Sequence, residues 1–195
     1  MKLISIATGL VILSVALPLA SGQQASCNQC SATYIEKSDI DAYAARGKAE
    51  NITDQQIRAV DAGKANIAVG VVYRGRLSSP GMVAEHDLVS EVYHVISGSA
   101  TLVTGSDIVG MERRPPDNRA VRLLNGPGNN GTSINNSVTY DLKAGDVVII
   151  PAGVGHWFTR IDDHIEYLMI RVDPDKVAPL KDAAASQADL AGAAQ

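Results

Sequence analysis

From Gln55 to Asp173 much of the chain is a succession of short runs rich in Val, Ile, Leu and Thr, most of them closed by Gly, Pro, Asn or Asp: IRAVDAG, NIAVGVVYRGR, EVYHVISG, ATLVTG, VTYDL, DVVIIPAG, HWFTRI and IEYLMIRV. Runs of this length are too short for core helices, and β-branched residues suit a pleated, half-buried surface. Many short strands with frequent turn residues predict an all-β sandwich or barrel. Three segments break the pattern. Ser38-Asp39-Ile40-Asp41 followed by AYAARG predicts a short helix, with Ser38 as its cap and Gly47 after its end. Ser106 to Asn136, with its Pro pair and many Gly and Asn, reads as a long excursion between strands, either a lid or binding loop or a loose insertion. The Ala-rich tail DKVAPLKDAAASQADLAGAAQ predicts a turn or two of helix near Lys181 and then a frayed end.

A length of 195 residues suits one domain with a proper core. Residues 1–22 carry one positive charge at Lys2, an apolar stretch from Leu3 to Leu17, then Pro18 and the small residues Ala20, Ser21 and Gly22. That is the layout of a secretory signal peptide cleaved after Gly22; the alternative is an uncleaved anchor, for which the apolar run is short. The chain therefore divides into a signal peptide (1–22), a tail with a short helix (23–50), a strand-rich body (51–175) and a C-terminal helix or tail (176–195), and the expected location is secreted or periplasmic. Cleavage removes Lys2 and no acid, taking the formal charge from −4 to −5. The basic residues are scattered, which argues against nucleic acid and against an anionic membrane surface as partners. Cys27 and Cys30 in SCNQCS are expected to form a local disulfide; a metal-scavenging tail is the alternative, and a thioredoxin-like site lacks its βαβ setting. Asn51, Asn130 and Asn135 head sequons that matter only in a eukaryotic secretory pathway.

AEHDLVSEVYHVISG, residues 84–98, holds two of the chain's four histidines. If EVYHVIS is a strand, Glu91, Tyr93 and Val95 share one face, while Val92, His94 and Ile96 share the other. GDVVIIPAGVGHWF, residues 145–158, ends a β-branched run at Pro151, turns on Gly153 and Gly155, and sends His156 into a new strand.

These two segments resemble the cupin superfamily. Its second motif, G-x5-P-x-G-x2-H-x3-N, is matched by Gly145, Pro151, Gly153 and His156, with Arg160 where Asn is expected. Its first, G-x5-H-x-H-x3,4-E-x6-G, is matched by His86, Glu91 and Gly98, with Ala84 at the first histidine and Ser78 at the leading glycine. The resemblance implies a double-stranded β-helix, or jelly-roll barrel, whose motif residues point inward around a divalent metal. Its ligands would be His86, Glu91 and His156, and the ion iron, manganese, nickel, cobalt or zinc. Most metal-binding relatives use three histidines and a glutamate, so Ala84 stands for a missing ligand. It leaves either a three-ligand site with an extra open position or a barrel that binds ligands without metal.

Tyr93 would donate to a bound substrate or serve as a core aromatic, and Arg160 would clamp a substrate carboxylate or pair with Asp162 or Asp163. Phe158 is expected on the cavity wall, Trp157 facing away, and His164 in solvent. His94 is expected to face outward as a subunit contact, the resemblance implying a homodimer. Two functions follow. One is a metal-dependent enzyme on a small organic molecule (a dioxygenase, lyase or isomerase); the other is an exported module that binds a small ligand or metal without turning it over. A storage or structural role comes third.

Overall fold

The computed structural model describes residues 26–27, 30–77 and 81–192. The signal-peptide segment and Ser78 lie outside the described residues. In chain order the elements are α1 (Lys37–Glu50), β1 (Asp54–Asp61), β2 (Asn66–Gly75), β3 (Val83–His86), β4 (Ser90–Gly105), β5 (Asp107–Val109), β6 (Glu112–Arg113), a π-helical turn (Val121–Asn125), β7 (Gly128–Gly131), β8 (Ser133–Asn135), β9 (Val138–Lys143), β10 (Val147–Ile150), β11 (Gly155–Arg160), β12 (His164–Asp173) and α2 (Ala183–Leu190). Every strand pairing is antiparallel. One layer runs β1-β2-β12-β4 with β10 on β4, and the other runs β4-β11-β3-β7-β6 with β9 on β4.

The two layers share β4, predicted as two strands, EVYHVISG and ATLVTG, but in fact continuous over 16 residues. Its first half pairs with β12 and β10, and its second with β9 and β11. Gly98, at φ +76°, sits at the changeover, and a Cβ there would run into the carbonyl of His164. Only glycine allows both the backbone turn and the close approach, so the strand can leave one sheet and enter the other. Between the layers lies a core that includes Tyr93, Val95, Leu102, Phe158, Ile165, Tyr167 and Met169. Side chains of this size each contribute about 1.5–3 kcal/mol when fully withdrawn from water. A smaller cluster, Tyr43, Ala44, Ile57 and Val71, fixes α1 to β1 and β2.

Helix α1 starts at Lys37, with Glu36 at the N-cap and no side-chain cap; the Ser38 hydroxyl turns to the Glu36 carboxylate, 3.1 Å away. Nor does the helix stop at Gly47. It runs on to Asn51, a left-handed cap, because Gly47 lets Gln55 and Ile52 pack against the helix where a side chain would block them. The C-terminal segment is docked rather than frayed after Lys181. Asp182 caps α2 through the Ala185 amide, 2.8 Å away, and Asp189 receives Arg46, Lys181 and Tyr43. Cys27 and Cys30 are disulfide-bonded.

The outer face of β4 and β10 carries His94 opposite Val147 and Val92 opposite Ile149. His94 is exposed there, as the strand's alternation predicts, and Val147 and Ile149 are 58% and 70% exposed.

Candidate metal centre

His86 ends β3, Glu91 is the second residue of β4 and His156 the second of β11, so three strands bring the residues together. All three are buried, and one ligand atom from each lies within 4.8 Å of the others. Glu91 Oε1 is 3.4 Å from His86 Nε2, and Oε2 is 3.4 Å from His156 Nε2. Two imidazoles and a carboxylate in this arrangement suit a divalent transition ion, so the residues present fit the metal that the fold implies.

Further groups hold the carboxylate. Tyr93 donates its hydroxyl proton to Oε2 at 2.8 Å, Asn125 donates its amide to Oε1 at 2.5 Å, and Arg171 Nε stands 3.6 Å from Oε1. Arg171 also pairs with Asp54. Burial opposes the charge on Glu91, but His86, His156, Arg171 and the Tyr93 hydrogen bond outweigh it and bring the pKa down to about 2. For His86, burial dominates over the attraction of Glu91 and lowers the pKa to about 3, so the ring is neutral at neutral pH. Burial and the neighbouring carboxylate push the Tyr93 hydroxyl well above its ordinary value, and it stays a donor.

The two rings differ in their outer partners. His156 Nδ1 lies 3.1 Å from the Val154 carbonyl and donates to it, which leaves Nε2 with a lone pair for a metal. His86 Nδ1 lies 3.3 Å from Arg114 Nη1, and a guanidinium can only donate. Neutral His86 then carries its proton on Nε2, towards Glu91, so to hold a metal through Nε2 as a neutral ligand the ring would have to carry that proton on Nδ1 instead and give up the Arg114 contact. Arg114 is itself fixed by Asn130 Oδ1 at 2.8 Å and the Asn129 carbonyl at 2.7 Å. It passes close to Gly128, where a Cβ would come 2.7 Å from its Nη1.

Acid is expected to destabilise the metal-free protein over two adjoining windows. His86 binds its proton more readily unfolded (ordinary value 6.5) than folded, so stability falls as pH drops from about 6.5 towards about 3. Glu91 contributes stability that is present above its ordinary value of 4.5 and lost as pH falls towards about 2. Thermal melts across pH 4 to 8 check this: His86→Asn should flatten the slope between about pH 6.5 and 4.5, and an unchanged slope would show that His86 does not fold as a buried neutral ring.

A cleft of about 370 Å³ reaches the cluster and is lined by Tyr73, Arg74, Ala84, Tyr93, His156 and Phe158, among others. Ala84 sits directly opposite His156 in the β3–β11 pairing. Phe158 is on the cleft wall as predicted, and Trp157, expected to face away, also lines it. Arg160 is not brought here. Its guanidinium is exposed and 3.7 Å from Asp162, because a register shift between Phe158 and Arg160 breaks the alternation that gave it the parity of His156. Two other cations line the cleft: Lys48, which pairs with Glu166, and Arg74, its Cζ 5.4 Å from the centroid of the Phe158 ring. His164 is half-buried at the start of β12, 3.1 Å from Ser97 Oγ and stacked on Tyr73, rather than free in solvent. Arg114, Asn125 and Arg171, which sequence reasoning did not single out, complete the surroundings of the ligands.

Among solved structures, BH2720 from Bacillus halodurans is similar over 83% of this chain and 98% of its own, at 11% identity and a TM-score of 0.43. A cupin protein from Bacteroides fragilis is similar over 59% and 72%, at 14% identity and a TM-score of 0.33. The DMSP lyase DddQ from Ruegeria pomeroyi is similar over 63% of this chain, at 20% identity and a TM-score of 0.35, and the match spans 51% of that lyase. A match to a structure described under the DMSP lyases RdDddP and RnDddQII spans 38% of that chain. No curated protein matches in sequence. The family model described as Cupin matches residues 48–189, which hold both motifs, all three candidate ligands and every strand, and the chain belongs to the cupin family.

Proposed function

We propose that this protein is an exported cupin enzyme that binds one divalent transition metal through His86, Glu91 and His156 and acts on a small anionic organic molecule as a dioxygenase, lyase or isomerase. The observation that carries this reading is the buried two-histidine, one-glutamate cluster with a cleft that meets it at Ala84, His156 and Tyr93. The metal would supply Lewis acidity, and in the oxidative case a place for dioxygen. Arg74 on the cleft wall supplies a counter-charge for a substrate carboxylate, and Phe158, Leu77 and Ile161 exclude water from its apolar body. Tyr93, whose proton is committed to Glu91, acts as a positioning residue for the ligand. Arg160, exposed and paired with Asp162, has no part in this reading.

A second reading has its own observation. The guanidinium on His86 Nδ1 and the two donors already on Glu91 complete a hydrogen-bonded cluster without an ion, as a barrel that only binds a ligand would require. Elemental analysis of protein purified from its native compartment, beside His156→Ala, separates the two. Bound transition metal in the wild type and its loss in the variant are expected. A wild type that stays metal-free after incubation with iron, manganese, nickel and zinc would sink the enzyme reading. With metal present, oxygen consumption against enediols, catechols and dicarbonyls tells a dioxygenase from a lyase or isomerase.

The reading includes a homodimer formed through the outer face of β4 and β10, where Val147 and Ile149 stand beside His94. Ile149→Asp should leave a folded monomer, measured by light scattering on a sizing column. A variant with the same mass as the wild type would move the interface elsewhere or show that no dimer forms.

A further inference from the structure

A second cleft, of about 260 Å³, shares no residue with the first. It lies between α1, the start of β1, the π-helical turn and the segment that leads into α2. Leu123 and Leu124 from the turn and Pro179 and Leu180 from the C-terminal segment give it an apolar lining. Against that lining stand three cations, Arg46, Arg119 and Lys181, and one acid, Asp189. Asp189 is shared, taking Arg46 Nη1 at 3.1 Å and also Lys181, while Arg119, among the described residues, donates to the Asp54 carbonyl alone, 3.2 Å away. Three positive charges against one negative leave the cleft with an excess of positive charge. Gln56 adds an independent sign of a ligand: it is 5% exposed, lines the cleft, and its Oε1 has no hydrogen-bond partner. A buried amide oxygen without a donor is costly, and a carboxylate, itself an acceptor, relieves that cost only if the amide turns to present its N–H. Rotation of the amide would bring its N–H to a carboxylate with little change in shape.

The cleft walls also lead to the metal cluster. Leu123 and Leu124 are followed by Asn125, the last residue of the π-turn, which donates to Glu91 at 2.5 Å. Gln55 and Gln56 follow Asp54, which pairs with Arg171, and Arg171 Nε stands 3.6 Å from the same Glu91 oxygen. A π-turn places one extra residue in a single turn and often marks a functional element. The cleft is thus bounded by the two segments that carry Asn125 and Asp54.

We propose that this second cleft binds a small amphipathic monocarboxylate, with its apolar body on Leu123, Leu124 and Leu180 and its charge towards Arg119 and Gln56, and that occupancy is transmitted to Glu91 through Asn125. The volume fits a short-chain acid rather than a drug-sized ligand. The inference concerns the Glu91 cluster whether or not it holds a metal, so it does not stand or fall with the enzyme reading.

Hexanoate is the probe, with hexanol and hexylamine as controls, titrated calorimetrically into the full chain. Saturable hexanoate binding is expected, with neither control binding comparably. Arg119→Ala, at an exposed position, should weaken it by about fivefold, the scale of one exposed charge contact. Leu180→Asp, at a position 57% exposed and so tolerant of the change, should abolish it. In the metal-free protein, the side-chain amide resonances of Asn125 should shift as hexanoate saturates. No saturable binding, equal binding of hexanol, or binding retained in both variants would overturn the site. Binding lost in Arg74→Ala but kept in Arg119→Ala and Leu180→Asp would place hexanoate in the first cleft and overturn it equally. Binding with the Asn125 resonances unmoved would overturn the coupling.

Discussion

Methionine at position 171 is expected to lower stability by about 3–5 kcal/mol, the cost of leaving a buried charge without its partner. In a chain of this length that corresponds to a fall in melting temperature of about 6–20 °C. Arg171 is 1% exposed, lies directly across from Glu91 in the β4–β12 pairing, and faces both Glu91 and Asp54. Its removal leaves the Glu91 and Asp54 carboxylates without the cation they share. Burial would then push the Glu91 pKa up, and its carboxylate would take up a proton more readily. Two companion measurements separate this from lost packing. Glu91→Gln in the Arg171→Met background should recover part of the loss, because the stranded anion has gone, and the double-mutant cycle gives the coupling. Saturating zinc should also recover part of it, because a bound cation takes over the neutralisation of Glu91. A single variant that melts within a degree or two of the wild type would show that Arg171 does not balance these charges.

The strands were legible in the sequence because their signal is local: β-branched runs, period-two alternation and glycine punctuation are properties of neighbouring residues. Alternation put Glu91, Tyr93 and Val95 on one face and His94 on the other, but both faces are partly apolar, so it took the motif around His156 to say which one is the interior. It failed at Arg160, where a bulge moves the side chain off the predicted face, an event set by the pairing partner rather than by HWFTRI itself. The segment 106–136 was illegible for the same reason. Gly128–Gly131 is polar and glycine-rich, yet it forms a strand because Val83–His86 offers it an edge some 40 residues away in sequence. That pairing brings Arg114 to His86, and the π-turn before it brings Asn125 to Glu91. The ligands could be found from motif spacing, but their supporting residues could not. Arg114 and Asn125 reach their partners over 28 and 34 positions, and no short-range pattern marks either of them.

The largest gain in metal affinity should come from Ala84→His. Ala84 lies on β3 two residues before His86, on the same face of the strand, directly opposite His156, and it lines the cleft that meets the cluster. An imidazole there projects towards the same space as the Nε2 atoms of His86 and His156 and adds a donor where the present set has two rings and a carboxylate. Outer-shell partners of metal ligands alone shift affinity about 10–100-fold, and a direct ligand should do no less. The gain counters a specific weakness of the present site: Arg114 holds His86 in the tautomer that carries its proton on Nε2, the nitrogen a metal would need, and it adds positive charge beside the ion. Competition titrations with a chelator, using zinc for the wild type and the variant, would measure the change. Unchanged affinity in a folded variant would mean that position 84 does not face the ion and that the first motif is out of register there. A gain in affinity accompanied by lost turnover would mean something different: the position that Ala84 leaves open is where substrate or dioxygen enters, and the missing histidine is a feature of the reaction rather than the decay of a site.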